Sequence, residues 1–337
     1  MDNHEKHTEF DLIGVGSPIV DTLVHIDEAF LTSRQAEKGG MVLIDEENMQ
    51  ELLKAVPAGA DMPGGSSGNT AYTCSILGLR TTFLGKLGSD EGGKFYRKSF
   101  QEVGGNDERF KVGRMANGRC LSLITPDGER TMRTHLGAAA TLNPADLSPL
   151  DFAGCRHAHI EGYLAFNPDL LEAVLLSAHR AGCTISLDLA SFEVVRAARE
   201  TLPRTLQHYV DVALANEEEA EAFFGAGKTH AEMALQLAKY CRIGIVKAGK
   251  DGAYLAEGSS VVHVPAEVVA KPVDTTGAGD IWAAGFLYAW LNGESLEVAG
   301  QYGSILGSAI VQHLGPHLPA DAWPAVQERL KAVKAIA

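Results

Sequence analysis

The stretch Val273-Asp274-Thr275-Thr276-Gly277-Ala278-Gly279-Asp280-Ile281-Trp282-Ala283-Ala284-Gly285-Phe286-Leu287-Tyr288 decides how the chain reads. Its first residues close an extended, proline-containing run. Ile281, Ala284, Leu287 and Tyr288 then recur at helical spacing, so the segment is a loop entering a helix. Small residues at Gly277, Ala278 and Gly279 let consecutive backbone N–H groups face one point. The positive end of the helix adds to them, and the loop can hold an anion. Small side chains also let a ligand approach the backbone closely. Asp280 has two readings. A carboxylate beside an anion site repels a phosphate, but it suits a base that takes a proton from an attacking hydroxyl. Asp is also favoured at helix N-caps, and the pattern D-x-x-G-x-G-D alone leaves both open.

Outward from this segment, short apolar runs alternate with longer amphipathic stretches. Phe10–Val15, Thr81–Leu84, His157–Ile160, Thr184–Leu187, Val210–Leu214 and Ile243–Val246 read as buried strands. Asn69–Leu77, Pro168–Ala181, Phe192–Leu202, Glu217–Phe224 and Ala231–Tyr240 read as helices, and the chain from Gly279 to Ala337 is helical with turns at Asn292-Gly293 and Gly315-Pro316. Strands alternating with helices predict a doubly wound α/β fold: a mostly parallel sheet with helices on both faces. Two regions break the alternation. Asp21–Asp27 and Gly40–Asp45 read as strands with a helical link, and Arg119–Thr125 and Glu129–His135 flank the turn signal Pro126-Asp127-Gly128. These inserted strands predict a small β-sheet lid, from about 20–46 and 115–136, on a single domain spanning 1–337. Structural edge hairpins are the plainer alternative.

Composition narrows the function. The 337 residues carry 29 Lys plus Arg against 43 Asp plus Glu, a net charge of −14. No dense basic cluster is present, which argues against a nucleic-acid partner. No stretch approaches the ~20 apolar residues of a membrane helix. The segment 1–10 has no basic-then-apolar leader pattern. Five widely spaced cysteines without a C-x-x-C fit a reducing cytoplasm better than a disulfide framework or a zinc ribbon.

Three decoys are set aside. Gly88–Phe95 resembles a phosphate loop, but Phe95 has no hydroxyl for Mg2+ and Asp90 and Glu91 stand where phosphates would lie. Gly225–Thr229 has Ala222 at the first glycine position. Both read as turns. Cys155, His157 and His159 would share one strand face, and buried strand residues account for them better than a metal site lacking a fourth ligand.

Asp274–Asp280 resembles the C-terminal signature of the PfkB, or ribokinase-like, family of carbohydrate and nucleoside kinases. Gly64-Gly65-Ser66-Ser67-Gly68-Asn69, continued by Gly85-Lys86-Leu87-Gly88-Ser89-Asp90-Glu91-Gly92, resembles its N-terminal signature. Asn216-Glu217-Glu218-Glu219 resembles the family's N-x-x-E, and Gly14–Asp21 resembles its first strand and substrate-binding Asp. The resemblance runs from about Phe10 to Gly315. It implies a ribokinase-like core with a β lid and transfer of the γ-phosphoryl of ATP to a hydroxymethyl group. It further implies Asp280 as general base and Gly277, Ala278 and Gly279 as anion hole.

The same resemblance implies Asp21, Gly64, Gly65 and Asn69 as acceptor contacts, and Asn216 and Glu219 as residues toward Mg2+ and the phosphates. Glu219 would act on the metal through water. Lys247, Gly249 and Gly252 match the nucleotide segment T-x-G-x-x-G, with Lys247 in place of the usual Thr. A monovalent cation such as K+ would sit by Asp274 and Thr276. Lys38–Glu47, Thr125–Met132 and Glu161-Gly162-Tyr163 resemble the adenosine kinase-like branch. Arg130 would then lie by the substrate or the phosphoryl group, and Tyr163 or Met41 against a base. The expectation is an ATP- and Mg2+-dependent nucleoside kinase, cytoplasmic, monomeric or paired through its lids. A ribokinase- or fructokinase-type sugar kinase is the alternative. A nucleotide-binding sensor is a third reading, against which the intact Asp280 and its loop weigh.

Overall fold

The computed structural model describes residues 8–34, 38–127 and 129–336; Gly128 of the Pro126-Asp127-Gly128 turn and residues 1–7 of the N-terminal segment lie outside them. In chain order the strands are β1 (Leu12–Val15), β2 (Val20–His25), β3 (Met41–Leu43), β4 (Ala60–Pro63), β5 (Thr81–Leu84), β6 (Lys86–Gly88), β7 (Lys111–Gly113), β8 (Arg119–Ile124), β9 (Arg130–His135), β10 (His157–Glu161), β11 (Thr184–Asp188), β12 (Val212–Asn216), β13 (Ile243–Lys247), β14 (Ala253–Glu257) and β15 (Ser260–Val264).

Eight of them form the main sheet, in the order β15-β14-β13-β12-β11-β10-β1-β5. β5, β1, β10, β11, β12 and β13 run parallel, and β14 and β15 close the edge antiparallel. That last hairpin is not evident in the apolar pattern, because β15 lies half in solvent. The parallel strands are buried on both faces. Leu12 packs with Leu214, Ile245 and the helices Ser66–Leu77, Ala278–Leu291 and Leu296–Ile310. Its neighbour Ile13 packs with Ile160, Leu187 and Val246 under the helix Pro168–Ala181. Successive residues of a strand point to opposite faces, so a continuous apolar run is what a sheet covered twice requires.

Strand order reverses at β1, with β5 on one side and β10 on the other. Ligands of such sheets bind beyond the carboxyl ends of the strands at such a reversal. Gly16, Glu161, Asp188, Asn216 and Lys247 follow or end β1, β10, β11, β12 and β13, so this edge is rich in polar side chains.

The lid is a separate sheet in the order β3-β9-β8-β2-β4. It is larger than the expected 20–46 and 115–136, since Ala60–Pro63 adds an edge strand and Glu46–Ala55 a helix. β4 escapes sequence reading because Ala60-Asp61-Met62-Pro63 lacks β-branched residues. Val24, Leu121 and Leu123 on one lid face pack against Leu31 and Met49 of its two helices. Residues paired across the strands place Asp21, Cys120, Met62 and, through β8, Met132 and Arg130 on the other face.

Some boundaries shift. Gly88–Phe95 is not a turn: Gly88 ends β6, and Asp90 caps a helix over Glu91–Glu102 by accepting from the Gly93 N–H at 3.2 Å. Phe192–Leu202 breaks into Phe192–Ala197 and Leu202–Tyr209. Gly225–Thr229 is the turn expected, with Thr229 capping His230–Leu237. His157 and His159 are fully buried and bonded to Ser186 at 2.8 and 2.7 Å, which leaves them as core polar residues.

Candidate active site

Two helices begin at the same point. Gly277 adopts φ 71°, a left-handed conformation that glycine enters without strain, and turns the chain into Ala278–Leu291. Gly65, at φ 89°, does the same for Ser66–Leu77. The Ala278 N–H closes a turn onto the Thr275 carbonyl at 3.1 Å. The Gly279 and Asp280 N–H groups stand in the first turn of the helix, where no preceding turn supplies an acceptor. Gly277–Gly279, where an anion site was expected, thus form the turn and the first residues of a helix N-terminus.

Asp280 is not the N-cap. It lies inside the first turn, and Gly277 occupies the cap position. Its carboxylate spans the gap to the neighbouring helix. Ser66 Oγ donates to Oδ1 at 2.9 Å and Asn69 Nδ2 to Oδ2 at 2.9 Å. Thr70 Oγ1 donates to the Asp280 carbonyl at 3.0 Å, fixing the backbone as well. Loss of solvent around the carboxyl pushes it up to about 7, with Asp188 adding to the shift and Asn69, Ser66 and Lys247 opposing it. A positioned carboxylate that binds a proton near neutral pH is what general-base chemistry needs.

Lys247 lies between Asp280 and the strand ends. Its Nζ is 2.7 Å from Asp188 Oδ2; the Asp188 side chain is buried and that of Lys247 nearly so, at 12% exposed. A Cβ on Gly279 would stand 3.1 Å from that Nζ, so the ammonium lies directly beneath the anion loop. Burial disfavours its charge, but Asp188 and Glu219 outweigh this and hold it above its ordinary value. Asn216 and Glu219 do share one face: Glu219 accepts from the Asn216 N–H at 2.8 Å and Asn216 accepts from the Glu219 N–H at 2.8 Å. This capping box starts Glu217–Phe224 and leaves Glu217 and Glu218 in solvent. Burial, then Asp188, raises Glu219 to about 7. Three carboxylates, Asp188, Glu219 and Asp280, thus surround one ammonium. Gly249 and Gly252 form the tight turn after β13 beside this cluster.

On the acceptor side, the Asp21 carboxylate packs on the Gly64 backbone. A Cβ on Gly64 would meet its Oδ2 at 2.4 Å. Burial raises Asp21 to about 7, opposed by Arg130 and assisted by Asp274. Arg130 reaches across from the lid to the loop itself. Its Nη1 donates to Thr276 Oγ1 at 2.9 Å and its Nη2 is paired with Asp274 Oδ2. Tyr163 follows β10 and is 39% exposed, while burial of its phenol and the nearby Glu161 raise its pKa. Met41 is 48% exposed on the edge strand of the lid.

Sequence reading gave no role to Ser66, Asp188 or Glu161. Glu161 Oε1 accepts from the Ser17 N–H at 2.9 Å and its Oε2 from Ser67 Oγ at 3.2 Å, so it ties the β1 loop to the helix that carries Asn69. Glu161 and Asp188 share one sequence signal, an acidic residue ending an apolar strand. Among the described residues no group of three or more His, Cys, Asp or Glu is arranged to hold a metal ion, and no helix is long and apolar enough to cross a membrane. A 340 Å³ hollow lined by His179, Thr184, His208 and Asp211 lies at the amino ends of the strands, away from these groups.

This geometry has relatives. The adenosine kinase of Saccharomyces cerevisiae is 26% identical over 333 residues, covering 92% of this chain and 97% of its own. A 5-dehydro-2-deoxygluconokinase of Listeria monocytogenes is 26% identical over 340 residues, covering 97% of both chains. The crystal structure of an adenosine kinase from Sinorhizobium meliloti superposes with a TM-score of 0.84 at 29% identity, over 95% of this chain and 99% of that one. The family model for pfkB family carbohydrate kinases matches residues 40–323. With the signature loop, the doubly wound sheet and the lid in place, the chain belongs to the pfkB family of carbohydrate kinases and is a phosphotransferase with an alcohol group as acceptor.

Proposed function

We propose that the chain moves the γ-phosphoryl group of ATP to a primary hydroxyl of an adenosine-like nucleoside, with Asp280 as the general base. The observation that carries the chemistry is the Asp280 carboxylate, gripped by Ser66 and Asn69 at 2.9 Å each and raised to about 7 at the mouth of the anion loop. The acceptor hydroxyl loses its proton to Asp280 as its oxygen attacks the γ-phosphorus, while the bond from that phosphorus to the β,γ-bridging oxygen breaks and ADP leaves with the electron pair. The N–H groups of Gly277–Gly279 and Lys247 Nζ stabilise the charge that spreads over the phosphoryl oxygens. The nucleotide lies over the ends of β12 and β13, by Asn216, Glu219, Lys247, Gly249 and Gly252. Glu219 and Asp188 are hard oxygen donors that fit Mg2+ held mainly by phosphates and water. Bound there, such a metal would neutralise triphosphate charge, which a cluster of three carboxylates and one ammonium otherwise repels.

Asp21 faces the acceptor as a carboxylate able to accept from two adjacent hydroxyls. Apolar surface flanks it on the same lid face. Leu23, Met62 and Ile124, with Leu314, line a hollow of about 410 Å³, and Met132 and the exposed Met41 and Leu43 lie on the other side. Such surface suits a base more than a free sugar. A sugar acceptor is the second reading, favoured by the equal identity to the Listeria 5-dehydro-2-deoxygluconokinase.

The test is ADP formation from Mg-ATP with a panel of nucleosides and free sugars, with Asp280→Asn as blank. Turnover confined to adenosine or a close relative is the expected result. Turnover with free sugars alone overturns the nucleoside assignment. Gly64→Ala sharpens it: the added Cβ forces the Asp21 carboxylate to shift, a misfit of about 1–3 kcal/mol. The acceptor KM is expected to rise roughly tenfold or more with the KM for ATP unchanged. An unchanged acceptor KM would remove Asp21 from the acceptor site.

A further inference from the structure

The resemblance of Asp274–Asp280 implies a K+ ion by Asp274 and Thr276, and the structure disagrees with it. A monovalent cation needs free oxygens around it. The Asp274 carboxylate, 3% exposed, already receives three donors: the Thr276 N–H at 3.0 Å on Oδ1, and the Gly315 N–H at 2.7 Å and Arg130 Nη2 on Oδ2. Thr276 Oγ1 receives Arg130 Nη1 at 2.9 Å. The guanidinium side chain is itself only 11% exposed, and it arrives from β9 of the lid.

We infer that Arg130 is the resident cation of the signature loop, taking the place of a monovalent metal ion and tying the lid to the anion hole. A guanidinium brings one full positive charge and a planar fork that bonds two acceptors at once. Here the fork takes one oxygen on each side of Thr275. Arg130 is thereby a positioning residue. It sets the loop that carries Gly277–Gly279 without touching the reacting atoms. The guanidinium compensates the Asp274 carboxylate and occupies Thr276 Oγ1, so neither group is left as an uncompensated ligand to attract an added ion. The lid and the loop also become one mechanical unit, and phosphoryl-transfer geometry depends on the lid strand being in place. The inference rests on the phosphotransferase chemistry alone and is independent of which acceptor is used.

The experiment compares the full-length enzyme with Arg130→Ala and Arg130→Lys in KCl and in tetramethylammonium chloride. Turnover, the unfolding midpoint and binding of Tl+ by thallium NMR are read in each. The unmodified enzyme is expected to keep its kcat within about twofold between the two salts and to bind no Tl+. Arg130→Ala is expected to lose roughly tenfold or more in kcat, since two charge-assisted hydrogen bonds go. It should gain a Tl+ site and recover part of its kcat and unfolding midpoint in K+ but not in tetramethylammonium. Arg130→Lys keeps the charge and loses the fork, so it should turn over slowly and stay indifferent to K+. Tl+ binding or strong K+ activation in the unmodified enzyme overturns the inference. So does an Arg130→Ala protein that neither binds Tl+ nor responds to any of the ions. If Arg130→Ala does not fold, the unmodified enzyme and Arg130→Lys decide. Tl+ binding needs no acceptor, so a failed substrate assignment leaves this result readable.

Discussion

Asp280→Asn is expected to lower kcat by roughly 10³-fold, within the 10²–10⁴ span typical of a positioned acid or base, while KM for both substrates changes little. The substitution keeps shape. The amide oxygen can still accept from one of the two donors that hold the carboxylate, and the Ser66 hydroxyl can reverse and accept from the new NH2 group. What disappears is the capacity to take a proton. Unchanged turnover in this variant would end the proposed mechanism. The pH dependence gives a second check. Asp280, raised to about 7, must be ionised to act, so kcat should climb with pH through about 7 and level off above it. Asp21 and Glu219 also lie near 7, so the limb belongs to a set of interacting carboxylates. Its loss from the residual activity of Asp280→Asn would assign it.

Stability carries the opposite sign. Asp280 binds its proton more tightly folded than unfolded, so between about pH 4 and 7 the folded state holds more protons. The stabilisation from the protonated carboxyl is present at low pH and lost as pH rises through about 7. Asp280→Asn cannot ionise and should unfold at a higher temperature than the unmodified enzyme at pH 8, with the gap closing near pH 5. An active site that loses activity and gains stability on one substitution is the pattern expected of a strained functional group.

Lys247→Ala should be the most damaging change to the site as a whole. It removes the one ammonium among Asp188, Glu219 and Asp280 and strands a buried carboxylate 2.7 Å from where its partner stood. Breaking a buried pair by deleting one member costs roughly 3–5 kcal/mol. The deficit should be largest at high pH, where Glu219 and Asp280 are charged, and should shrink as they take up protons on the way down through about 7. Turnover should fall at least ~10²-fold, because a charge aimed at the developing phosphoryl oxygens is lost. The double variant Lys247→Met, Asp188→Asn separates the two effects. It removes the stranded charge, so the unfolding midpoint should recover while activity does not. Recovery of both would reduce Lys247 to a structural residue.

The lid shows why some of this was legible in the chain and some was not. Its central strands announce themselves through Thr22-Leu23-Val24 and Arg119–Ile124, and the proline turn between β8 and β9 marks the hairpin. β4 has no such signal; it forms because β2 offers an edge to pair with. The first turn of Glu91–Glu102 was hidden by a glycine-rich string that resembles a phosphate loop, though Asp90 before it is a strong cap. In the site, Asp280, Gly277, Asn69 and Asp21 were all visible as members of spaced motifs. The contacts of Ser66, Glu161 and Asp188 were not, although Ser66 and Glu161 lie within motifs, because each acquires its partner from a distant segment, 214, 94 and 59 positions away.

The alternation of apolar runs with amphipathic stretches was enough to specify a doubly wound sheet, since each strand must be apolar on both faces and each helix on one. The signature loop was enough to specify a glycine turn opening a helix, since small residues after an extended run and before an apolar helical pattern mark such a start. Pairing across the fold lay beyond any local pattern. That Lys247 stands under Gly279, and that Arg130 rather than an ion holds Asp274, depends on which strand ends the sheet brings together and how far the lid reaches over them. Coulomb energy depends on distance through space, and residues 144 positions apart have none until the chain folds.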